Sequence, residues 1–361
     1  MARFRGKDAW GPEAVLTIGV RVPTMTMDGW PSKPSIRWTG AALDVVRFRR
    51  RRRGDAVEIG FSVPGSGAWA IPRNQVTVAR RAEELGYRSL WTLQRVLNPA
   101  GSPDRTYRNV PDPLITLAYL AAHTTRARLG VAVVNLPFYA PPILAKQAAT
   151  LDHVSGGRLD LGLGIGWMRE EFAAVGAPMA RRGARAEEFI AALRALWAGG
   201  PGDAARFRGE FYDIPPVTMD PRPLQPSGPP ILLGGGAEPA LRRAGRLAEG
   251  WVSSSRADLA AIGRSVEVVR EAAEEAGRDA RALRFVCRGA IRVRPAGRKE
   301  RRPLTGSFEE IRGDFGALAR QGVTELFVDL NFDPEITGPD TDPDASLDRA
   351  LEALEAFAPG A

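Results

Sequence analysis

Hydrophobic residues recur in a regular order from Val57 onward, with short apolar runs alternating with longer segments. The short runs have the alternating or continuous apolar pattern of buried strands, whereas the longer segments repeat apolar residues every three or four positions, as helices do. The pattern predicts strands at 57–63, 89–93, 128–134, from 159, and at 231–233, 250–254, 283–293 and 325–329. It predicts helices at 74–85, 114–123, 143–154, 168–197, 239–248, 259–276, 308–321 and 347–357.

Polar residues, glycines and prolines mark where the predicted elements begin and end. Asn74 is a candidate N-cap for the first helix, and Gly86 follows its last turn. Residues 199–229 are rich in proline and glycine, so we predict an irregular loop insertion there.

The eight predicted strands, each followed by a helix, indicate the α/β class, because this alternating order favours a parallel sheet. Eight such units over about 300 residues match the size of a (β/α)8 TIM barrel. A doubly wound sheet is the structural alternative, since the sequence does not reveal the order of strands in the sheet. The predicted barrel domain spans residues 57–361.

The first 56 residues differ from the rest in pattern and in charge. They hold 12 of the 50 basic residues and 5 of the 42 acidic ones, so they carry +7 of the net charge of +8. Residues 47–53 form a block of like charge. Such a block is either a patch for nucleic acid or membrane, or part of a segment that cannot bury a core. We favour a disordered N-terminal extension over residues 1–56, with neither nucleic acid nor membrane as a partner.

The scarce cysteine and histidine residues limit the kinds of site. Cys287 is the only cysteine, which excludes an intrachain disulfide and fits a reducing, cytoplasmic compartment. No apolar run approaches the ~18 residues of a membrane span, and no signal-peptide pattern is present. The two histidines, His123 and His153, fall in separate predicted helices, so we expect no metal site.

The segment 158–172 combines a buried strand, a glycine turn and the start of a helix. Gly162, Gly164 and Gly166 allow another backbone or a ligand to approach closely. A second glycine run, Gly234–Gly236, also stands between an apolar strand and a helix. Backbone N–H groups at such a helix start can bind an anion; a plain tight turn is the alternative. A dinucleotide fingerprint fits the first segment less well, because an arginine occupies its third glycine position.

Residues 156–172 resemble the signature of the bacterial luciferase-like monooxygenase superfamily, and their GxGW…EF form resembles the branch that uses the deazaflavin coenzyme F420. Segments at 86–91, 129–142 and 229–251 resemble the same family in the same order. The resemblance covers residues 57 to about 357. It implies a luciferase-like TIM barrel whose active site lies at the carboxyl ends of the strands.

The resemblance also implies which residues contact the coenzyme. The end of the third strand flanks the ring system, often with a non-proline cis peptide bond, which we place near Ala132–Val133; an ordinary buried strand is the alternative. The glycine run after the fifth strand binds the coenzyme phosphate. Trp167 either forms a wall of the ring pocket or packs between helices, and we favour the wall. The implied coenzyme-binding residues are Ala132, Val133, Val134, Asn135, Gly164, Ile165, Gly166, Trp167, Gly234, Gly235, Gly236 and Ala237.

Gln94 and Arg95 stand where many relatives have an Asp-His pair at the edge of the ring. A neutral amide and a permanent cation cannot act as a general base near pH 7. They can hydrogen-bond to a reduced, anionic ring or stabilise its charge. We therefore take Gln94 and Arg95 as the candidate catalytic residues, with a binding role. The alternative for Arg95 is a salt bridge at the rim.

The function implied by the resemblance is that of an F420-dependent oxidoreductase, which moves a hydride between reduced F420 and a small organic substrate. We expect a homodimer that depends on a separate coenzyme reductase. One alternative is an FMN-dependent monooxygenase, and another is a non-catalytic ligand-binding barrel. A barrel hydrolase would need paired carboxylates at strand ends, and Asp329 after the last strand is the one suitable candidate.

A truncated chain that begins near Asp55 is expected to fold and to bind its coenzyme with unchanged affinity. The physical reason is that the broken periodicity and concentrated charge of residues 1–56 do not support a packed core. Circular dichroism and a coenzyme titration on the full and truncated chains check this. A truncated chain that fails to fold contradicts the prediction.

Overall fold

A computed structural model describes residues 57–102, 106–297, 299–338 and 340–360 of the chain. The extension predicted over residues 1–56 lies outside the described residues and stays a prediction. From Glu58 onward, strands and helices alternate as the hydrophobic pattern indicates.

The strands and helices of the described residues are numbered in chain order. The strands are β1 (Glu58–Ser62), β2 (Ser89–Thr92), β3 (Arg128–Asn135), β4 (Leu159–Gly164), β5 (Ala204–Arg208), β6 (Asp213–Thr218), β7 (Ile231–Gly234), β8 (Gly250–Val252), β9 (Arg284–Ala290), β10 (Arg292–Val293), β11 (Thr305–Gly306) and β12 (Glu325–Asp329). The helices are α1 (Pro72–Glu84), α2 (Pro113–Ala121), α3 (Pro141–Val154), α4 (Arg169–Ala174), α5 (Arg182–Trp197), α6 (Glu238–Leu247), α7 (Ile262–Glu275), α8 (Phe308–Arg320), α9 (Pro334–Thr337) and α10 (Pro343–Ala356).

Eight of these strands close into a parallel barrel in the order β1-β2-β3-β4-β7-β8-β9-β12. β1 pairs with β2 on one side and with β12 on the other, so the sheet closes on itself. A doubly wound sheet would instead leave two edge strands. The predicted TIM barrel is therefore confirmed, and the doubly wound alternative is wrong.

Successive residues of a barrel strand face alternately toward the helices and into the barrel, because side chains alternate along a strand. The three leucines of β4 belong to the main hydrophobic core, which the strands share with the helices. A smaller apolar cluster fills the middle of the barrel, where the rings of Trp91 and Phe327 stack with their centroids 4.8 Å apart. The members of this cluster are Trp91, Ala132, Leu232, Val252, Val286 and Phe327.

A buried ion network lies at the amino-terminal ends of the strands. Arg284 Nη1 donates to Asp160 Oδ1 at 2.7 Å, and its Nη2 donates to Glu325 Oε2 at 2.7 Å. Arg128 Nη2 reaches the same Asp160 oxygen at 2.6 Å, and the Ser89 hydroxyl donates to Glu325 Oε1 at 2.6 Å. Burial alone would raise the pKa of Asp160, but the two guanidinium groups hold it well below its usual range. The carboxylate therefore stays ionised and binds three strands together.

The segment 199–229 contains more regular structure than predicted. β5 and β6 form an antiparallel hairpin within it. Glu188 on α5 holds the turn of this hairpin, because its carboxylate accepts hydrogen bonds from the backbone N–H groups of Glu210, Phe211 and Tyr212. The prediction of an irregular insertion is wrong here for two reasons. Proline is tolerated in a strand that pairs on one side only, and the stabilising carboxylate comes from another element.

Two predicted helix boundaries also differ from the structure. α1 begins at Pro72 rather than Asn74, because a proline fits the first helical turn, where its missing N–H is not needed. The Asn74 side chain is buried and donates to the carbonyl oxygen of Trp69 at 3.3 Å. The long helix predicted over 168–197 is interrupted between α4 and α5. Arg181, the residue directly before α5, adopts a left-handed φ of 55°.

Asp160→Asn is expected to lower the free energy of unfolding by about 3–5 kcal/mol at pH 7, because it leaves two largely buried guanidinium groups without their shared carboxylate. The pKa of Asp160 is lowered in the folded state, so its contribution is present above the unfolded pKa, near 4, and is lost as the pH falls. The difference between the two chains should therefore shrink between about pH 5 and pH 2. Urea unfolding at several pH values measures this.

Asp348→Asn, at an exposed position of α10, is the matched control. It should change the free energy of unfolding by less than about 0.5 kcal/mol. The assignment of the ion network is contradicted if the Asp160 variant is as stable as this control at pH 7, or if the difference grows in acid.

Candidate active site

A cavity of about 390 Å³ opens at the carboxyl ends of the barrel strands, and we call it the rim cavity. Barrel enzymes place their chemistry at this end of the strands. Most of the predicted site residues come together in its lining. They are Gln94, Arg95, Ala132, Val133, Asn135, Gly164, Ile165, Gly166, Trp167, Gly234 and Gly235.

Three predicted coenzyme-binding residues do not line the rim cavity. Val134 is fully buried in the main hydrophobic core, because it faces the helices rather than the barrel interior. Gly236 and Ala237 follow Gly235 and lead into α6. Their contact with a ligand therefore depends on how far the ligand extends beyond the rim cavity.

One wall of the rim cavity is a bulge in β3. The register of β3 against β4 shifts between Val131 and Val134, so Ala132 and Val133 leave the regular ladder. The peptide bond between Ala132 and Val133 is cis, at the position that the resemblance implies. Both residues line the rim cavity, so the bulge presents its apolar side chains to any ligand there.

Glycine at three neighbouring positions makes room for this bulge. A Cβ atom at Gly164 would lie 2.6 Å from Val133 Cγ2, and a Cβ atom at Gly234 would lie 3.1 Å from Val133 Cγ1. A Cβ atom at Gly162 would lie 1.9 Å from the carbonyl oxygen of Val131. The glycines of β4 were predicted to allow a close approach. Because they lack side chains, the backbone and side chains of β3 pack directly against them.

Gln94 joins the end of β2 to the end of β3. Its Oε1 accepts a hydrogen bond from the backbone N–H of Asn135 at 2.8 Å, and its Nε2 donates to the Tyr139 hydroxyl at 2.9 Å. Burial and the nearby charge of Asp112 raise the pKa of Tyr139, so this hydroxyl keeps its proton near pH 7. Gln94 therefore positions the strand end beside the rim cavity.

Arg95 forms a buried salt bridge. Its Nη1 donates to Glu171 Oε2 at 2.8 Å, and the two side chains are 5% and 1% exposed. Its guanidinium carbon lies 4.1 Å from the ring centroid of Tyr107 and 5.1 Å from that of Trp167. Trp167 itself is 56% exposed and forms part of the cavity wall. Arg95 therefore forms the salt bridge that was the alternative to a catalytic role. A catalytic role for Arg95 stays a prediction.

The glycine loop after β7 connects the rim cavity to α6. Gly235 has a φ of +129°, and its carbonyl oxygen accepts a hydrogen bond from Trp251 Nε1 at 2.7 Å, which fixes the shape of the loop. A Cβ atom at Gly236 would meet no atom within 4 Å, so the space beside it is open. Ala237 is the N-cap of α6 and has no polar side chain to cap the first turn. This arrangement leaves the amino-terminal N–H groups for an anion.

Arg288 on β9 is the main site residue that the sequence reasoning missed. Its Nε donates to Asp329 Oδ2 at 2.7 Å, and its Nη1 donates to the carbonyl oxygen of Ala132 at 3.1 Å. Its Nη2 is buried and has no hydrogen-bond partner among the described residues. Arg288 therefore holds the bulge of β3. The sequence signal was weak, because the strand predicted over 283–293 runs past the true end of β9 and places Arg288 in mid-strand.

Asp329, the carboxylate considered for a hydrolase, is fully buried and paired with Arg288. It also accepts hydrogen bonds from the backbone and side chain of Asn331. Within the described part of the chain, no Asp, Glu, His or Cys lines the rim cavity. A hydrolase would need an acid–base pair at this place, so the geometry does not support one.

Hydroxyl groups and positive charge dominate the polar part of the rim cavity. Ser253, Ser254 and Ser255 line it after β8, and Arg256 and Arg288 line it from the same side of the barrel. Such a lining stabilises negative charge that develops on a bound ring or ligand. The cavity is thus suited to binding and electrostatic stabilisation rather than to proton transfer.

The other reactive side chains lie outside the rim cavity. Cys287 is fully buried, and burial raises its pKa to about 12, so it forms no thiolate near pH 7. His123 contacts Arg80, and His153 lies on α3. In the described ranges, no group of three His, Cys, Asp or Glu side chains could hold a metal ion. No helix of those ranges is long and apolar enough to cross a membrane.

Comparisons of the whole sequence with known proteins agree with one another. The family model described as luciferase-like monooxygenase matches residues 58–303. An uncharacterized protein of Mycobacterium tuberculosis is 33% identical over 297 residues, which are 78% of this chain and 92% of the relative. An FMNH(2)-dependent dimethylsulfone monooxygenase of Pseudomonas putida is 32% identical over 214 residues, which are 58% of this chain and 56% of that protein.

A comparison with solved structures gives the same fold. An F420-dependent secondary alcohol dehydrogenase in complex with an F420-acetone adduct superposes with a TM-score of 0.68 and 16% identity. The superposition covers 84% of this chain and 99% of that chain. At this identity, the likeness concerns the barrel fold alone.

Proposed function

The chain belongs to the luciferase-like monooxygenase family, and from that premise we propose that it is an oxidoreductase that uses the deazaflavin coenzyme F420. A hydride passes between the reduced coenzyme and a small organic substrate at the rim cavity. The observation that carries this proposal is the lining of that cavity. It gathers most of the residues that the resemblance implies for the coenzyme, and among the described residues it contains no Asp, Glu, His or Cys.

The apolar part of the rim cavity fits a flat ring system. Val133 offers one apolar surface, and the missing Cβ atoms of Gly164 and Gly234 allow it to stand there. Trp167 and Ile165 line the cavity after β4. Pockets for cofactors commonly combine such apolar walls with a few fixed polar groups. The bulge of β3 would therefore support the ring and set its orientation.

The glycine loop fits the phosphate of the same coenzyme. Gly235 and Gly236 carry backbone N–H groups directly before α6, whose dipole favours negative charge at its amino terminus. Glu238 in the first turn of α6 is exposed and does not line the cavity, so its charge is screened by solvent. A single coenzyme would then bind with its phosphate at the glycine loop and its ring beside Val133.

In this mechanism, the protein's own residues bind and orient the coenzyme and stabilise negative charge on it. The bound coenzyme supplies the two-electron hydride chemistry. Arg288 places positive charge beside the ring site while it holds the carbonyl group of Ala132. Gln94 fixes the end of β3 through Asn135. Because the described lining of the rim cavity offers no carboxylate, imidazole or thiol for proton transfer, we expect rates to depend on Gln94 and Arg288 through binding and orientation.

An FMN-dependent monooxygenase is the second candidate, and the 32% identity to an FMNH(2)-dependent dimethylsulfone monooxygenase favours it. The same bulge and glycine loop would support FMN, and a separate reductase would supply the reduced flavin. The two candidates differ in chemistry, because F420 lacks the ring nitrogen that lets reduced flavins react readily with oxygen. F420 therefore implies a reductase or dehydrogenase, whereas FMN implies an oxygenase.

Equilibrium titration of the full chain with F420 and with FMN distinguishes these candidates. We expect F420 to bind at least about tenfold more tightly than FMN, a difference of about 1.4 kcal/mol. Coenzyme fluorescence and absorbance report the binding. Tighter binding of FMN contradicts the proposal in favour of the monooxygenase, and binding of neither coenzyme supports a non-catalytic barrel.

Gly236→Asp is expected to weaken coenzyme binding by about tenfold or more, because it places a carboxylate where the phosphate should lie. The open space beside Gly236 accepts a side chain without a clash. The neighbouring Gly235 is less suitable, since its φ is +129° and a Cβ there would lie 2.7 Å from Ala240 Cβ. The same titration measures the effect.

Gly313→Asp is the matched control for this charge change. Gly313 is exposed on α8, and a Cβ atom there would also meet nothing within 4 Å. This variant should keep the wild-type coenzyme affinity. Equal affinity in the Gly236 and Gly313 variants would place the phosphate elsewhere in the protein.

A further inference from the structure

A second cavity of about 730 Å³ lies beside the rim cavity. The residues common to both are Tyr107, Ser255, Arg256 and Arg288. Much of the rest of its wall comes from residues 257–260 after β8 and from residues 301–303 between β10 and β11. Thr106, Ala290, Arg292, Thr305 and Phe332 complete the wall. Its volume suits a small organic molecule. We call it the arginine cavity, because its lining includes Arg256, Arg288, Arg292, Arg301 and Arg302.

The charge of the arginine cavity is unbalanced. Arg288 and Arg301 each form an ion pair with an aspartate. No carboxylate of the described residues forms an ion pair with Arg256, Arg292 or Arg302, and all three are exposed. Their positive charges therefore face the cavity and solvent without an ion-pair partner in the described part of the chain.

Asp258 is the acidic side chain in the lining of this cavity among the described residues. Its Oδ1 accepts a hydrogen bond from the backbone N–H of Ala260 at 3.1 Å, so it caps a short 3-10 turn. The lining as a whole is thus strongly positive. A concave surface with charge of one sign concentrates ions of the opposite sign, and guanidinium groups bind oxyanions with strong, directed hydrogen bonds.

Aromatic rings lie next to these arginines. Phe332 lines the arginine cavity, and its ring centroid is 4.9 Å from the guanidinium carbon of Arg288. The ring of Tyr107 meets Phe332 edge-on, with centroids 6.0 Å apart. Arg292 Nη2 lies 3.4 Å from the carbonyl oxygen of Phe332, so one outer arginine is held close to this aromatic pair. Apolar surface and positive charge therefore occur together, as an organic anion requires.

We propose that the arginine cavity binds the oxyanion of an organic substrate, such as a carboxylate or a sulfonate, and directs its body toward the rim cavity. Arg292 and Arg302 bind the oxyanion, and the junction at Arg288 leads to the ring site. The role of the anion as a substrate rests on the proposed function, whereas the binding of an anion to the arginine cavity does not. It narrows the substrate class from small organic molecules to organic anions.

Calorimetric titration with sodium sulfate tests the anion site on the full chain without coenzyme. Sodium chloride holds the ionic strength constant and is the reference anion. The double variant Arg292→Gln and Arg302→Gln should bind sulfate about tenfold or more weakly than the wild type, because it removes two charged donors. The control Arg264→Gln, at an exposed position of α7, should stay within about twofold.

The basic residues 1–56 also attract sulfate, but every variant carries them, so their effect cancels in the comparison. Equal sulfate affinity in the double variant and the control overturns the proposal. If the double variant unfolds at a lower temperature than the wild type, the two single variants replace it, and each should weaken sulfate binding relative to the control.

A second titration contains F420 or FMN at saturation, whichever binds. An unchanged sulfate affinity means that the arginine cavity stays open for the substrate when the coenzyme is bound. Loss of sulfate binding means that the cavity holds an anionic group of the coenzyme itself, which overturns the proposal. If neither coenzyme binds, the proposed function fails, and the variant comparison alone decides the anion site.

Discussion

The close packing of the β3 bulge against glycines of β4 and β7 is the constraint on which the active site depends. Val133 occupies space that a Cβ atom at Gly164 or Gly234 would take. Arg288 holds the same segment through the carbonyl oxygen of Ala132. A side chain at Gly164 would clash with Val133, and one at Gly234 would crowd it, because closely packed interiors have little room to absorb added atoms. The wall that β3 gives the rim cavity, the start of the glycine loop and the position of Arg288 are therefore parts of one packing arrangement.

Charged residues have different roles at the two ends of the barrel. At the amino-terminal ends of the strands, Asp160 is fully buried and pairs with the largely buried Arg284, so their charges connect strands rather than face a ligand. At the carboxyl ends, Arg288 is paired with Asp329 and supports the bulge. The exposed arginine Arg256 borders both cavities and has no ion-pair partner in the described residues. The charges of the network at the amino-terminal ends are thus paired, whereas Arg256 at the carboxyl ends is left without an ion pair.

The hydrophobic pattern was sufficient to predict the barrel, because alternating strand and helix periods leave few other folds. The site near Val133 followed from the resemblance rather than from the pattern. Arg288 could not be predicted, because its contact with Ala132 depends on the register of strands that are distant in sequence. The partner of Arg95 could not be predicted either, because Glu171 lies on α4, which is distant from Arg95 in sequence. Local sequence predicts elements well, whereas contacts across the barrel require the closed sheet.

In the proposed function, one coenzyme binds with its ring against Val133 and its phosphate at the glycine loop before α6. A crystal structure of the chain with F420 bound tests this most directly. We expect the ring to lie in the rim cavity beside Trp167, with a phosphate oxygen about 3 Å from the backbone nitrogen of Gly235 or Gly236. A phosphate bound in the arginine cavity, or a ring outside the rim cavity, would contradict it.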